Sequence, residues 1–528
     1  MKITKPFLAI PIGYAARGKK LCFYNGSDLV LELDAPVDAA YPDYVQYVDV
    51  ARFMGEDLTV STDPEIDVDI KLTDKIPVQE FYREKYRPQV HFSAKHGWIN
   101  DPNGLVFDGE QYHLFYQHNP YSHQWSNMHW GHAVSTDLIH WDEQALALAP
   151  DALGAMFSGS AVMDRENRTG LKENENDVLL LFYTAAGGSS LLSKGKPFTQ
   201  CMAYSTDNGK TFRKYAGNPV VEHIEAENRD PKVVFVPEIS AYVMALYIDD
   251  NRYALLSSSN FFEWKFLQEL SLPGDSECPD LYPLYLDGDP KQKRWVFSGA
   301  SDRYLVGDFK SGKFRPLKEA KRLHYGRNSY AAQTFSDVPK EDGRRLRIAW
   351  NTTQAPNVAF CGSMNIPCEM ELKTFDQEET LTIWPAREVK TLFEQEDFPA
   401  LSDLGPGKFS LGRRPYAPQW IECTVKASKD AVFELSLFGE RVQINAEENT
   451  VRCMDATMPL YMRDGNIRLL ILADALGFEI FCGEGQAFMC MGFLADYTLN
   501  RLELTVQQGN LTSFQGHLAA LQSVWPVK

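Results

Sequence analysis

The segment Trp98-Ile99-Asn100-Asp101-Pro102-Asn103-Gly104 opens the first of several strand-rich units and leads into the apolar run Leu105-Val106-Phe107. Asn, Asp, Pro and Gly together are typical of a tight turn, so the segment alone fits a plain chain reversal as well as a functional loop. Tryptophan, histidine and side-chain amides crowd the positions that follow. Rings stack on the C–H faces of sugars, and amides both donate and accept hydrogen bonds. We therefore expect a site for a neutral carbohydrate, with Asp101 as a candidate carboxylate.

Three strand-turn patterns and the positions of similar segments indicate an internal repeat. Ser135-Thr136-Asp137, Ser205-Thr206-Asp207 and Ser258-Ser259-Asn260 each end a unit that began with an apolar strand. Units start near five positions: Asp101, Ser158, Asp230, Glu277 and Tyr330. Their spacing of roughly 47 to 72 residues suits four-stranded blades with variable loops. The repeat predicts a five-bladed β-propeller.

The sequence patterns on either side of the repeat also predict β-strands, so the predicted fold class is all-β. Residues 1–85 contain short strand-like runs separated by polar turns, which predicts a small N-terminal β domain joined by a linker at 73–87. Residues 86–395 form the predicted propeller, the catalytic domain. Residues 396–528 alternate between apolar and polar positions, as half-buried antiparallel strands do, which predicts a C-terminal β-sandwich.

Composition limits the classes of function. The chain has 528 residues, enough for two or three domains, and 44% of them are hydrophobic. Its net charge of −18 argues against a nucleic-acid partner, because phosphate binding depends on Lys and Arg. No run approaches the roughly 20 apolar residues of a membrane helix, so no membrane partner is expected. A homo-oligomer is possible, because the sequence does not determine the oligomeric state.

Cysteine usage and the N-terminus bear on cofactors and location. The nine cysteines are an odd number without CxxC pairs, so we expect neither a disulfide framework nor a metal site. The apolar stretch after Lys5 is short and is interrupted by Pro11 and Gly13, which differs from a signal peptide. We expect a cytoplasmic protein.

Three acids are the candidates for chemistry. If the five units are equivalent, their first strands line the central channel, and Asp101, Asp230 and Glu277 converge at one mouth. Asp230 could instead form a plain surface ion pair with Arg229, and a loop glutamate is usually solvated. Their matching positions in the repeat favour function. Glycoside hydrolysis needs one carboxylate that stays ionised, which suits Asp101, and one carboxyl group that holds a proton, which suits Glu277.

Eight segments make the chain resemble glycoside hydrolase family 32, the β-fructofuranosidases. In order, they are WINDPNG (98–104), FYQ (115–117), WGHAVSTDLIHW (130–141), FSGSA (157–161), RDPK (229–232), ECPDLYPL (277–284), YAAQTF (330–335) and WPARE (384–388). One departure is Cys368, in a segment where the family commonly has an arginine, so we expect contacts at the rim of the site to differ from the family's.

The resemblance implies a propeller followed by a sandwich and a retaining double displacement without a cofactor. It makes Asp101 the nucleophile, Glu277 the acid/base and Asp230 the group that binds fructose hydroxyls. The substrate-binding residues it implies, with Trp350 added as a candidate at the rim, are Asn100, Gln117, Trp125, Phe157, Ser158, Arg229 and Trp350. Trp125 and Phe157 could instead be packing residues of the blades, although the site is favoured for both, and Trp350 fits the core as well as the rim of the site.

The expected activity is release of terminal β-D-fructofuranosyl residues from sucrose, fructo-oligosaccharides, levan or inulin. Two alternatives use the same chemistry: a fructosyltransferase, and a hydrolase of sucrose-6-phosphate. A non-catalytic fructan-binding protein is disfavoured because all three acids are present. Related five-bladed enzymes acting on arabinose or xylose polymers lack the WINDPNG and ECPD segments.

Overall fold

The computed structural model describes residues 1–63, 70–77 and 81–525. The predicted all-β class is confirmed: helical structure in these ranges consists of three short 3₁₀ helices, at Ala51–Phe53, Pro237–Ile239 and Arg387–Leu392. Within the same ranges, no helix is both long and apolar enough to cross a membrane. Residues 78–80 of the predicted linker lie outside the described part of the chain.

The N-terminal module, residues 1–63 and 70–77, is a pair of three-stranded antiparallel sheets with orders β4-β1-β6 and β3-β2-β5. Its strands are β1 (Phe7–Ile12), β2 (Lys19–Asn25), β3 (Asp28–Ala35), β4 (Tyr44–Asp49), β5 (Leu58–Asp63) and β6 (Lys71–Thr73). Every second residue of β1 is buried, and these residues pack with Phe23 and Leu33 of the other sheet. Tyr121, from the next part of the chain, completes this core.

Five further sheets follow. The first two contain β7 (Gly97–Phe107), β8 (Tyr112–Asn119), β9 (His129–Ser135) and β10 (Asp142–Glu143), then β11 (Ala155–Asp164), β12 (Val178–Ala186), β13 (Thr199–Ser205) and β14 (Arg213–Lys214). The third contains β15 (Arg229–Val236), β16 (Ala241–Asp249), β17 (Arg252–Ser258) and β18 (Lys265–Ser271).

The fourth and fifth sheets complete the series. The fourth contains β19 (Asp280–Tyr285), β20 (Lys293–Ser298), β21 (Arg303–Lys310), β22 (Lys313–Pro316) and β23 (Lys321–Arg322). The last segment contributes β24 (Tyr330–Thr334), β25 (Arg345–Asn351), β26 (Phe360–Cys361), β27 (Ser363–Met364), β28 (Cys368–Phe375) and β29 (Glu378–Pro385), of which β26 pairs with β7 of the first sheet.

The five sheets close into a ring through their first strands. β7 contacts β11, β11 contacts β15, β15 contacts β19, β19 contacts β24, and β24 returns to β7. These strands start at or close to the five unit starts predicted from the repeat. The molecule is therefore a five-bladed propeller, with the first strand of each blade around the centre.

The repeated turns have a common physical basis. In blades one to three, the side chains of Asp137, Asp207 and Asn260 each accept backbone N–H bonds from residues two to four positions further on. A serine two residues earlier donates to the same side chain in each case. Asx side chains that bond their own backbone stabilise such turns, so this pattern fixes the step from the third to the fourth strand.

β-Bulges interrupt the inner strands at equivalent positions. The pairing register shifts between Ile99 and Pro102, between Met156 and Gly159, between Arg229 and Lys232, and between Tyr330 and Gln333. Blade four has the positive-φ residues Glu277 and Cys278 immediately before β19 instead. Bulges redirect side chains next to functional sites, and the residues inside these irregularities include all three candidate acids.

The C-terminal part is a β-sandwich, as predicted. One sheet combines β30 (Phe393–Asp397), β31 (Ala400–Leu404), β33 (Gln419–Ala427), β38 (Met462–Arg463), β39 (Asn466–Asp474), β40 (Gly477–Cys482), β41 (Ala487–Gly492) and β43 (Leu511–Leu521). The other combines β32 (Gly407–Arg413), β34 (Val432–Leu437), β35 (Glu440–Asn445), β36 (Thr450–Cys453), β37 (Ala456–Pro459) and β42 (Arg501–Gln508). An apolar core lies between the sheets.

A buried polar cluster joins the propeller to the sandwich. His91 Nδ1 lies 2.8 Å from Asp474 Oδ2, and His91 Nε2 lies 3.2 Å from Glu479 Oε1. Asn365 donates to the same Glu479 oxygen. Burial alone would lower the pKa of His91, but the hydrogen bonds to Asp474 and Glu479 raise it to about 10. His91 is thus a buried cation between two acids of the sandwich. The domain boundaries near residues 85 and 395 stay predictions.

Candidate active site

All ten predicted site residues line one cavity of about 550 Å³ at the centre of the propeller. The members predicted from the sequence are Asn100, Asp101, Gln117, Trp125, Phe157, Ser158, Arg229, Asp230, Glu277 and Trp350. Six further lining residues were not predicted: Gly187, Gly188, Ser189, Phe198, Glu227 and Tyr330. Tyr330 begins a repeat unit, which could have identified it, whereas the others lie on loops with no distinctive pattern.

Asp101 lies in the bulge of β7 and is held by two neighbouring side chains. Ser158 Oγ donates to its Oδ2 at 2.6 Å, and Asn100 Nδ2 donates to its Oδ1 at 3.1 Å. Asn100 is oriented in turn by Trp98 Nε1, at 2.9 Å from its Oδ1. Burial raises the pKa of Asp101, while the bonds from Ser158 and Asn100 oppose the rise. The polar turn suggested by the sequence is therefore less solvated than expected.

Cys278 lies between two of the acids. Its Sγ is 3.5 Å from Asp101 Oδ2 and 3.5 Å from Asp230 Oδ2, and its backbone N–H donates to Asp230 Oδ2 at 3.1 Å. Burial, with the charges of Asp101, Asp230 and Glu277, raises the pKa of the thiol well above its usual value. The cysteine therefore stays protonated and serves as a weak donor to either aspartate.

Asp230 is buried and has a left-handed backbone, with φ of 65°. Its backbone N–H donates to Thr184 Oγ1 at 2.9 Å, a bond that fixes this unusual conformation. Burial raises the pKa of Asp230 to about 7; Arg229 opposes the rise, and the charges of Asp101 and Glu277 add to it. A carboxyl group with such a pKa is common at functional sites.

Glu277 is oriented by two donors from neighbouring blades. Arg229 Nη2 donates to its Oε1 at 2.6 Å, and the Tyr330 hydroxyl donates to its Oε2 at 2.5 Å. Arg229 also donates to the carbonyl of Glu227 at 2.7 Å, and its guanidinium lies 4.6 Å from the centre of the Tyr247 ring. The carboxyl group of Glu277 therefore has one defined direction into the cavity.

Aromatic rings line the outer part of the cavity. The Trp125 and Phe157 ring centres are 6.0 Å apart, and those of Phe157 and Phe198 are 5.5 Å apart. Trp125 is 54% exposed, in contrast to the buried Asp230. On another side, Trp350 packs edge-on against Trp98 at 5.8 Å. Trp125, Phe157 and Trp350 thus all face the cavity, and the rings offer apolar surfaces that suit sugar faces.

Gln117 lines the cavity, whereas Cys368, the residue that departs from the family pattern, does not. Gln117 Nε2 donates to the carbonyl of Met156 at 2.8 Å, which orients this amide at the cavity wall. Cys368 is buried in the apolar core of blade five and does not line the cavity. Cys368 therefore contributes to packing and makes no contact with the cavity. In the described residues, no group of three or more His, Cys, Asp or Glu could hold a metal ion.

Comparison with known proteins gives a consistent result. The family model described as "Glycosyl hydrolases family 32 N-terminal domain" matches residues 91–385. The levanase of Bacillus subtilis (strain 168) is 32% identical over 497 residues, covering 84% of this chain and 72% of the levanase. An extracellular exo-inulinase of Aspergillus niger is 33% identical over 485 residues, covering 77% of this chain and 89% of that protein.

Solved structures agree with the sequence relatives. The crystal structure of exo-inulinase from Aspergillus awamori superposes with a TM-score of 0.74, covering 84% of this chain and 100% of that one, at 25% identity. A fructofuranosidase from Schwanniomyces occidentalis complexed with fructose has the same fold, with a TM-score of 0.72, 22% identity and coverage of 84% and 100%. The family match spans more than half of the chain and includes all three acids. The chain belongs to glycosyl hydrolases family 32.

Proposed function

We propose that this protein is a retaining β-fructofuranosidase that releases terminal β-D-fructofuranosyl residues from sucrose, fructo-oligosaccharides or fructans. The observation that carries the proposal is the meeting of three acids from three blades, Asp101, Asp230 and Glu277, in one cavity around Cys278. Family membership and similarity to proteins named levanase, exo-inulinase and invertase support the substrate class.

In the first step, Asp101 attacks the anomeric carbon of the fructosyl unit. Ser158 and Asn100 hold the two carboxylate oxygens of Asp101 in place for this attack. Glu277 gives its proton to the leaving glycosidic oxygen, so that bond breaks as the bond to Asp101 forms. The product of this step is a fructosyl ester of Asp101 and a free alcohol on the leaving sugar.

In the second step, water resolves the ester. Glu277, now ionised, takes a proton from the water as its oxygen attacks the anomeric carbon, and Asp101 leaves as a carboxylate. Two displacements at one carbon restore the original configuration. Asp230, which lines the cavity, accepts hydrogen bonds from fructose hydroxyls in both steps.

Two alternatives differ in acceptor or substrate. A fructosyltransferase would use a sugar hydroxyl in place of water in the second step, on the same residues. Hydrolysis of sucrose-6-phosphate needs a free cation for the phosphate. Among the cavity-lining residues of the described chain, Arg229 is the one lysine or arginine. Its guanidinium already donates hydrogen bonds to the Glu277 carboxylate and to the Glu227 carbonyl. We therefore favour unphosphorylated substrates.

The deciding experiment measures fructose released from sucrose, inulin and levan by the wild type, by Asp101→Ala and by Glu175→Ala. Glu175 is an exposed acid between β11 and β12 and serves as a matched control. We expect Asp101→Ala to lose about 10⁴-fold in kcat, as removal of a catalytic group does, and Glu175→Ala to be unchanged. NMR of the first-formed fructose should show the β anomer.

Each other outcome has a distinct meaning. Full activity of Asp101→Ala would exclude Asp101 as the nucleophile. Oligosaccharides longer than the substrate, appearing in place of free fructose, would identify a transferase. Binding of all three substrates without release of fructose would identify a binding protein.

We also propose that the protein is cytoplasmic and has no nucleic-acid or membrane partner. All nine cysteines are unpaired, as is usual for proteins of reducing compartments, and the net charge is −18. Fractionation of the producing cells tests the location: fructosidase activity should be found in the cytoplasm and not in the medium.

A further inference from the structure

We propose that the N-terminal module braces two loops at the rim of the cavity and thereby sets how tightly the enzyme holds the sugar next to the released fructosyl unit. The first rim loop is residues 120–128, between β8 and β9, and the second is residues 187–198, between β12 and β13. This inference rests on the proposed function. The family model begins at residue 91, so the module lies outside the part of the chain that defines the family.

The first rim loop is fixed by the free edge of β3. Within residues 1–63, 70–77 and 81–525, β3 pairs with β2 on one side only, which leaves backbone groups on its other edge without a strand partner from this part of the chain. The side-chain amide of Asn127 fills this place: its Nδ2 donates to the Asp34 carbonyl at 2.7 Å, and the Asp34 N–H donates to its Oδ1 at 2.9 Å. Asn127 thus pairs with the strand as a peptide group would.

The second rim loop is fixed by a buried carboxylate on the same strand. The side chain of Glu32 is only 6% exposed. Its Oε2 accepts the backbone N–H of Leu191 at 2.7 Å, and its Oε1 accepts Lys20 Nζ at 2.5 Å. A buried carboxylate needs such partners, so its bond to the loop backbone is specific and costly to lose.

Apolar contacts join the module to the first rim loop as well. Tyr121 of this loop is buried in the core of the module, beside the residues of its two sheets. The ring of Tyr14 packs edge-on against His123 at 5.5 Å. Movement of the loop away from the module would therefore expose apolar surface, which opposes such movement.

Both loops supply residues of the outer cavity. Trp125 of the first rim loop and Gly187, Gly188, Ser189 and Phe198 of the second line the cavity. The ring of Phe157 lies between those of Trp125 and Phe198 and so links the two loops. Asp230, which we assign to the fructosyl unit, is buried, whereas Trp125 of the first rim loop is 54% exposed. The sugar that leaves, or the rest of a fructan chain, is thus the part of the substrate that meets the braced loops.

The test uses full-length variants that break one brace contact each. Asn127→Gly removes the amide and keeps the positive φ of 45°, and Glu32→Ala removes the carboxylate. Glu32→Gln retains an acceptor for the Leu191 N–H. Glu56→Ala is the matched control, because the Glu56 carboxylate accepts a bond from Asn25 within the module.

We expect Asn127→Gly and Glu32→Ala to raise KM for sucrose and inulin roughly fivefold to tenfold, as loss of one hydrogen bond can do. The value of kcat should stay within about twofold, and inhibition by free fructose, which needs only the inner subsite, should be unchanged. Glu32→Gln should recover most of the affinity, and Glu56→Ala should match the wild type.

The inference is overturned if folded Asn127→Gly and Glu32→Ala proteins keep the wild-type KM. It is also overturned if kcat, KM and fructose inhibition all change together, since that pattern indicates general loss of structure. Failure of the proposed function is a separate result, namely no fructose release by the wild type. In that case, the Kd for sucrose is measured by tryptophan fluorescence for the same variants. Equal Kd values in the wild type and the variants would refute the proposed role of the N-terminal module.

Discussion

The carboxyl group of Asp230 shows how a single residue can couple stability to pH. Its pKa of about 7 lies above the ordinary 3.8, so the folded state binds more protons than the unfolded state between about pH 4 and pH 7. Stability therefore falls as pH rises through this window. Removing the ionisable group should remove this loss of folding stability, which amounts to as much as about 4 kcal/mol.

Asp230→Asn tests this linkage. Asparagine tolerates a positive φ, so the backbone should be retained. Above pH 7, we expect the variant to unfold at a higher temperature than the wild type, and this difference in unfolding temperature should vanish near pH 4. The variant should lose activity at every pH. Thermal unfolding between pH 4 and pH 8 measures the effect. A variant less stable than the wild type at pH 8 would contradict it.

Tyr330 gives a second prediction at this scale. Its hydroxyl donates to Glu277 at 2.5 Å, so Tyr330→Phe frees one oxygen of the acid/base. We expect kcat to fall roughly tenfold with KM little changed, because orientation of the carboxyl group matters most in the transition state. Tyr285→Phe, at a half-exposed position of β19, is the control. Equal kcat values in both variants would show that the Tyr330 hydroxyl plays no part in orienting Glu277.

At the level of residues, the repeat predicted that the three acids meet, because it gives them equivalent positions. The seven neighbours that share the cavity were predicted from the family resemblance, with Trp350 added as a candidate at the rim. The sequence did not predict Glu227, Phe198 or the glycines of the second rim loop. These residues reach the cavity through the path of a loop, and no period or motif encodes that path.

At the level of elements, the bulges of the inner strands direct side chains into the cavity. Gly159 lies directly after Ser158 in the bulge of β11, and a Cβ there would come within 1.9 Å of the Phe182 carbonyl oxygen. Gly159→Ala should therefore force β11 and β12 apart. We expect a loss of roughly 3 kcal/mol in the free energy of unfolding, together with reduced activity as the Ser158 bond to Asp101 is disturbed.

Chemical denaturation measures this loss. Gly405→Ala, in the loop between β31 and β32, is the matched control, because the nearest atom to its Cβ would be 3.5 Å away. A Gly159→Ala protein as stable as Gly405→Ala would show that the bulge adapts to a side chain. The sequence predicted the five unit starts but not the bulges, since one extra residue in a strand leaves the hydrophobic pattern almost intact.

For the whole molecule, the buried His91 joins propeller and sandwich through Asp474 and Glu479. Its folded pKa of about 10 lies above the ordinary 6.5. The stabilisation it gives is therefore complete below pH 6.5 and is lost as pH rises through 10. His91→Gln should cost roughly 3–5 kcal/mol at pH 6, because it leaves two buried acids without their cation.

Unfolding of wild type and His91→Gln from pH 6 to pH 10 tests this prediction, and the two stabilities should approach each other at the alkaline end. His140→Gln, at an exposed ion pair with Asp137, should have little effect at any pH. A constant difference across the whole range would show that packing, and not charge, is what His91 provides. The sequence predicted both domains that meet here, but it could not predict this contact, whose partners are nearly 400 positions apart.

The contacts of β3 with both rim loops also constrain how this enzyme can diverge. If an insertion in either loop moves Asn127 or Leu191, the loop loses its hydrogen bond to β3 unless the strand changes as well. Glu32, Asn127 and the lengths of the two loops should therefore be inherited together among descendants of this chain. A graft that transfers the loops to another scaffold without the strand should lose their shape, so the unit to recombine in engineering is the module with its loops.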